Sequence, residues 1–336
     1  MKGYSDRFIE SNRNFTNVKY HKYVLSDVYI DLKSGLILDN NKHPIWELAY
    51  EVLYWGPPIK GKYFDNPKEL DNIVETRKQA HLERLSQYTD EDYDKAYTFN
   101  ANEQVIYLIH PFGWYPYGHL HDSLQRLYQW KDVSFSNPKL LCSDFKRVVE
   151  FDKHINACGY AFSTVFSASK LTKLVRVSNL FVGINPAMYT TLTAESYDWL
   201  MSGYRSVFGE SNNSIPGIYL SRNGIKKGAR GVINDNEVQE YLKGKGFVII
   251  DGTEPLEKIY QYFSNANCVV APHGSLLVNT IFCKRESKII EFCPNNRPDF
   301  SFKNKHKDAF NYKHILLEGD ESYNIKIPLE MLEQEL

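Results

Sequence analysis

A strand whose apolar residues do not alternate with polar ones must be covered on both faces, and two such runs lie close together in this chain. The first is Cys268-Val-Val-Ala-Pro272 and the second is Lys288-Ile-Ile-Glu-Phe292; between them stand His273-Gly-Ser275 and the apolar stretch Leu276-Leu-Val-Asn-Thr-Ile-Phe282. The order predicts a buried strand, a tight turn, a helix opening at Ser275 and a second buried strand. A strand–helix–strand unit of this kind belongs to a parallel sheet with helices on both faces. It also sets a helix N-terminus beside the carboxyl end of a strand, where unpaired backbone N–H groups and the helix dipole attract anions. A phosphorylated ligand is the expectation that follows.

The alternation extends upstream. Ile218-Tyr-Leu-Ser-Arg222 and residues 247–250 read as strands. Asn234-Asp-Asn-Glu237 reads as a capping box opening a helix with Val238, Tyr241 and Leu242 inward, and Thr253 opens a helix in which Leu256, Ile259, Tyr260 and Phe263 recur on one face. In the first half, residues 15–37 alternate as strands about a Lys33-Ser34-Gly35 turn. Residues 66–96 read as helical, 104–109 as a buried strand, 119–130 as a helix, 151–183 as further strand–helix alternation and 194–208 as a helix. A chain of 336 residues is too long for one core. The expected division is 1–190 and 191–336.

Forty basic against forty-one acidic residues leave a net charge of −1, without the basic footprint of a nucleic-acid binder. The five cysteines form no CxxC pair, so a zinc knuckle is not expected; Cys268 and Cys293 sit in strand-like apolar runs. Their odd number points to a reducing compartment. No leader-like segment and no apolar run of about 18 residues is present, and a cytoplasmic chain without a membrane span is the expectation. No GxGxxG follows a strand and there is no P-loop, which argues against a nicotinamide or flavin cofactor.

Several residues have a chemistry suited to a phosphorylated ligand. Gly274 permits close backbone approach, Ser275 can cap the helix, and His273 lies at the carboxyl end of a buried strand, where doubly wound sheets bind ligands. Asn279, inside an apolar helix, must find partners and is expected to shape the turn rather than touch a ligand. Glu291 ends a strand, where a carboxylate can accept ribose hydroxyls or simply face water. Arg222 ends another, and Arg230 follows in a basic loop; forked guanidinium donors match phosphate oxygens. In the first half, Leu120, Leu124, Leu127 and Tyr128 form a core stripe, leaving Asp122 opposite it near the helix start. Asp122 is a candidate general base, with His119 on the same side and His121 on the other flank. Trp114, Tyr115 and Tyr117 either stack on a sugar or pack a core. Asp90-Glu-Asp92 and Asp92-Tyr-Asp94 spell the DxD of metal-dependent sugar transferases, but no apolar strand precedes them, and they read as solvated surface.

Taken in order, Ser221-Arg222, Arg230, Asn234, Glu237-Val238, Gly246-Phe247, Ala271-Pro-His-Gly-Ser-Leu-Leu-Val-Asn-Thr-Ile-Phe282, Ile290-Glu-Phe292 and Pro294 resemble the family-61 glycosyltransferases, which include xylosyltransferases, N-acetylglucosaminyltransferases and capsular polysaccharide enzymes. Ser275 stands where Ala is usual and Leu276 where Gly is common. His121-Asp122 also resembles a family segment in the first half. The resemblance implies a GT-B architecture: two Rossmann-like doubly wound domains facing a cleft, acceptor on the first and nucleotide sugar on the second. It implies an inverting transfer from a UDP-sugar, with xylose or N-acetylglucosamine as the sugar, to a glycan hydroxyl, with no metal or other cofactor required. Arg222, Arg230, His273, Gly274, Ser275 and Asn279 would then form the donor side, and Glu291 would contact the nucleoside. The alternatives are a non-catalytic nucleotide- or glycan-binding module, or another Rossmann-like transferase such as a methyltransferase.

Overall fold

A computed structural model describes residues 21–49, 53, 67–109, 120–143, 148, 150–162, 164–167, 170–171, 173–184, 194–210, 213–222, 230–306 and 310–336. The chain is α/β, and its contacts divide it into two compact units. One lies within Asn14–Val148 and Cys158–Met188; the other takes in Val149–Ala157 and Tyr189–Leu336. The expected cut at 190/191 gave residues 149–157 to the first domain, whereas their contacts put them with the second.

The first unit begins with strands β1 (His21–Leu25), β2 (Val28–Asp31) and β3 (Leu36–Leu38), the last two joined by the expected turn. Gly35 sits at φ +77° there, and its carbonyl accepts a hydrogen bond from the Tyr107 hydroxyl at 2.5 Å. Residues 67–94 are not one helix. Helix α1 (Pro67–Leu85) stops, and α2 (Asp90–Asp94) restarts on a capping box between Thr89 and Asp92. The DxD carboxylates therefore lie on a short surface helix, with Asp92 holding the cap and Asp90 paired with Lys42 at 2.6 Å.

Strands β4 (Tyr97–Thr98) and β5 (Val105–Leu108), helix α3 (Leu120–Tyr128) and strand β6 (Lys139–Cys142) follow, and then β7 (Thr164–Ser167), β8 (Leu174–Val177) and β9 (Leu180–Ile184). The larger sheet has the order β1-β9-β5-β6-β7, parallel except at β1, and the smaller one β3-β2-β8-β4. From β5 the chain moves outward through β6 to β7 and returns to the other side of β5 as β9. The direction of winding thus reverses between β5 and β9, where α3 begins. Leu120, Leu124 and Leu127 are fully buried, as the stripe predicts, and the Arg126 guanidinium donates to the Ile109 carbonyl at 3.0 Å.

The second unit holds α4 (Phe151–Ala157) and α5 (Ala194–Phe208), followed by β10 (Ile218–Leu220), α6 (Asp235–Gly244), β11 (Val248–Ile250), α7 (Leu256–Asn265) and β12 (Cys268–Pro272). A 3₁₀ helix (Ser275–Phe282), β13 (Lys288–Pro294), α8 (Ser301–His306), β14 (Asn311–Leu317) and α9 (Leu329–Glu335) complete it. All five strands are parallel in the order β11-β10-β12-β13-β14, a doubly wound sheet whose winding reverses between β10 and β12. Tyr219, Val238, Leu242, Val270, Ile290 and Phe292 form its core.

Helices α4 and α5 meet closely. A side chain at Gly203 would overlap the Ala157 backbone, and His154 Nδ1 lies 2.6 Å from the Tyr204 hydroxyl. The Glu150 carboxylate accepts from the Leu256 N–H at 2.9 Å, at the start of α7. All five cysteines are buried free thiols. Among the described residues, no helix is long and apolar enough to cross a membrane.

Candidate active site

The reversal between β10 and β12 brings two predicted segments together. Asp235, the first residue of α6, is buried and accepts hydrogen bonds from the Tyr219 hydroxyl (2.6 Å) and the Ser221 hydroxyl (2.8 Å), fixing the carboxyl end of β10. Arg222 is the next residue. Its Nη1 donates to the His273 carbonyl at 2.6 Å, spanning the gap to the end of β12. A Cβ on Gly274 would overlap this guanidinium, so Gly274 makes room for Arg222 as well as for any ligand. Burial, and then the charge of Arg230, pull the Arg222 guanidinium down to about 10. Its Nε is buried without a partner, and no acidic side chain faces it among the described residues. Arg230 thus adds its positive charge near Arg222 at a sheet switch point, where no acidic side chain faces Arg222 among the described residues.

The His273 side chain is held from both ends. Nδ1 lies 2.6 Å from Glu291 Oε1, and Nε2 lies 3.2 Å from Asp299 Oδ2. Ionised carboxylates only accept, so both ring nitrogens donate and the ring is an imidazolium. Burial acts to lower its pKa, but Asp299 and Glu291 outweigh that and push it up to about 9. Burial acts to raise the Glu291 pKa, and the bonds from His273 and His314 hold it below the usual carboxylate value. Glu291 Oε2 accepts from His314 Nδ1 at 2.6 Å and from the Tyr312 hydroxyl at 3.0 Å. The sheet register explains this meeting: Ala271, Glu291 and His314 are paired neighbours across β12, β13 and β14, and Tyr312 shares the His314 face two residues earlier.

Three expectations are corrected here. Glu291 is fully buried, with both oxygens engaged, so it holds His273 rather than facing a nucleoside. The segment from Ser275 is a 3₁₀ helix whose N-cap is Gly274, with no side-chain cap bond, and Ser275 is exposed. Six of its eight residues are buried, so packing on all sides rather than an amphipathic stripe sets its form. Nor do Asn234 and Glu237 form a capping box: the Asn234 amide pairs with the Ile327 backbone, accepting from its N–H at 3.0 Å and donating to its carbonyl at 2.9 Å.

The structure places the remaining residues as follows. Asn279 is buried within the 3₁₀ helix. Leu276 packs on Gly252, which adopts φ +88° after β11. Arg230 takes φ +38°, a left-handed conformation uncommon for a residue with a side chain. His121 and Asp122 lie on α3 near the other switch point, but their side chains are outside the described residues, as are His119, Trp114, Tyr115 and Tyr117 altogether. Asp299, Tyr312 and His314 did not emerge from the sequence. The Tyr-x-His spacing inside Asn311-Tyr-Lys-His-Ile-Leu-Leu317 is the signal that carries them, two polar side chains on one face of a strand.

No curated protein matches the chain. One solved structure that does is the E. coli heptosyltransferase WaaC with ADP, at 8% identity and a TM-score of 0.35, covering 69% of this chain and 98% of that one. The sequence profile of glycosyltransferase 61 matches residues 117–290, just over half of the chain, a span that holds α3, Arg222, Arg230 and the turn at His273. The chain belongs to glycosyltransferase family 61.

Proposed function

We propose that this glycosyltransferase moves a sugar from a UDP-sugar to a glycan hydroxyl with inversion, and that the switch point between β10 and β12 receives the donor diphosphate. The observation that carries the reading is Arg222, a largely buried guanidinium held against the His273 carbonyl with no acidic partner among the described residues. An unpaired buried cation is costly, and a diphosphate would both neutralise it and satisfy its free N–H donors. In a single displacement, the acceptor oxygen attacks the anomeric carbon as the bond to the diphosphate breaks. The acceptor proton passes to a base and the leaving oxygens keep the electron pair. Arg222, Arg230 and the backbone around Gly274 stabilise that developing charge, and Asp122 takes the proton. Xylose and N-acetylglucosamine are the sugars proposed, in the synthesis of a cell-surface, capsular or glycoprotein glycan. Because the arginines supply the positive charge, no divalent cation is needed.

The test is donor hydrolysis and transfer across a panel of nucleotide sugars in EDTA. Arg222→Ala should lower turnover by roughly 10²–10³-fold, the scale set by loss of one charge-stabilising donor. Unchanged turnover with every donor would refute the diphosphate assignment. Wild-type activity that vanishes in EDTA and returns with a divalent cation would refute metal independence.

A further inference from the structure

We infer, resting on the diphosphate reading of the site, that Tyr312 and His314 are positioning residues for Arg222. From the edge strand β14 they act through Glu291 and His273 to fix the guanidinium that receives the donor. The side-chain hydrogen bond of Arg222 among the described residues runs from Nη1 to the His273 carbonyl, 2.6 Å away. A guanidinium on a long stem goes where its partner holds it, so the place of that carbonyl decides the place of the charge. The register explains why the two meet. Tyr219 of β10 pairs with Val270 of β12, and three residues further along each strand Arg222 lies level with His273.

Just past β12, the His273 N–H donates to the Phe292 carbonyl at 2.7 Å, and the ring adds a second anchor. With Nδ1 on Glu291 and Nε2 on Asp299, the imidazolium cannot turn without losing a charged partner, which keeps the residue and its carbonyl in place. Glu291 in turn is only as fixed as the donors on its other oxygen. Both come from β14: His314 Nδ1 at 2.6 Å and the Tyr312 hydroxyl at 3.0 Å. Burial, and then the Glu291 charge, push the Tyr312 phenol well above its ordinary value, so it remains a donor. Packing holds these two side chains as well: the Phe300 ring lies 4.7 Å from that of His314, and the His306 ring stacks on Tyr312 at 6.4 Å. A buried carboxylate that loses one such donor turns toward those that remain, and His273 turns with it. Four adjacent strands, β14, β13, β12 and β10, thus contribute one link each between the sheet edge and the switch point. Charge stabilisation at a leaving group needs donors already in place, and misplacement by about 1 Å costs on the order of 10²-fold.

The test uses the full chain, with inorganic pyrophosphate as the probe and calorimetry as the readout, in a double-mutant cycle with Arg222→Ala. Tyr312→Phe should weaken binding by about threefold and His314→Leu by about tenfold, because each removes a donor to a buried carboxylate without touching Arg222. His314→Asn should restore most of what His314→Leu loses, since its amide keeps a donor at the Nδ1 position. In an Arg222→Ala background, neither Tyr312→Phe nor His314→Leu should weaken binding further. Equal losses with and without Arg222 would mean general loosening of the fold and overturn the relay, as would unchanged affinity in both single variants. Should His314→Leu fold poorly, NMR on Tyr312→Phe decides. That variant must shift the His273 Nδ1–H and Arg222 guanidinium resonances, and no shift at Arg222 overturns the proposal. Arg222→Ala alone judges the diphosphate reading, which fails if pyrophosphate affinity stays intact. Affinity lost there but normal in Tyr312→Phe and His314→Leu removes only the relay.

Discussion

His273 couples the site to stability through pH. Its folded pKa, about 9, lies above the ordinary 6.5, so the folded state binds its proton more tightly than the unfolded chain does. The stabilisation from that proton is complete below about pH 6.5 and is lost as pH rises through about 9. Unfolding free energy should fall over that window by on the order of 3 kcal/mol, since one pKa unit is worth about 1.4 kcal/mol. Denaturant titrations at about pH 6 and pH 9.5 measure the drop, and a His273→Asn chain should lack most of it. An identical slope in that variant would show that other groups are responsible. Glu291 acts in the opposite direction: its pKa is depressed, so its contribution is present at neutral pH and lost only in acid. These roles were only half legible in the sequence. A Glu ending an apolar strand reads the same whether it faces water or a buried imidazolium, and the difference lies in β14, which supplies His314 and Tyr312. Arg222 and Gly274 were legible because each ends or follows an unbroken apolar strand, and the sheet order brings those two strand ends together.

Among the elements, the central strands were the easiest to read and the edge strand the hardest. Strands β12 and β13 are buried along almost their whole length and appear as solid apolar text. Strand β14 is mostly exposed or half-buried, and its mixed composition does not announce a partner. The 3₁₀ helix after Gly274 could not be told from an α-helix, because a nearly all-apolar eight-residue run shows neither period. The start of α6 shows local and tertiary signals in competition. Asn234 has the spacing of a cap, yet its amide is spent on both backbone groups of Ile327. Asn234→Ala should therefore cost about 1–2 kcal/mol, for two hydrogen bonds to the chain's C-terminal segment, and should raise hydrogen exchange at Ile325 and Ile327. Unchanged exchange there would show that the segment is held by packing alone.

For the whole molecule, the consequential feature is helix α4. Residues 149–157 come from near the end of the first half of the chain, yet His154 meets Tyr204, Ala157 abuts Gly203 and Glu150 binds the first N–H of α7. A fragment of residues 189–336 should lose about 3 kcal/mol or more, given the buried Ile155 and His154 it lacks. Fusing 149–157 to its N-terminus through a flexible linker should restore a sharp melting transition. Equal stability of the two fragments would show that α4 is dispensable. A strand–helix pattern read along the sequence assigns α4 to its neighbours in the chain, because periodicity carries no record of long-range partners. The arrangement also sets a rule for recombining family members. The C-terminal unit cannot be exchanged at a single junction near residue 189. A working chimera needs splice points at 148/149 and 157/158 as well as 188/189, so that a short internal cassette travels with the C-terminal one.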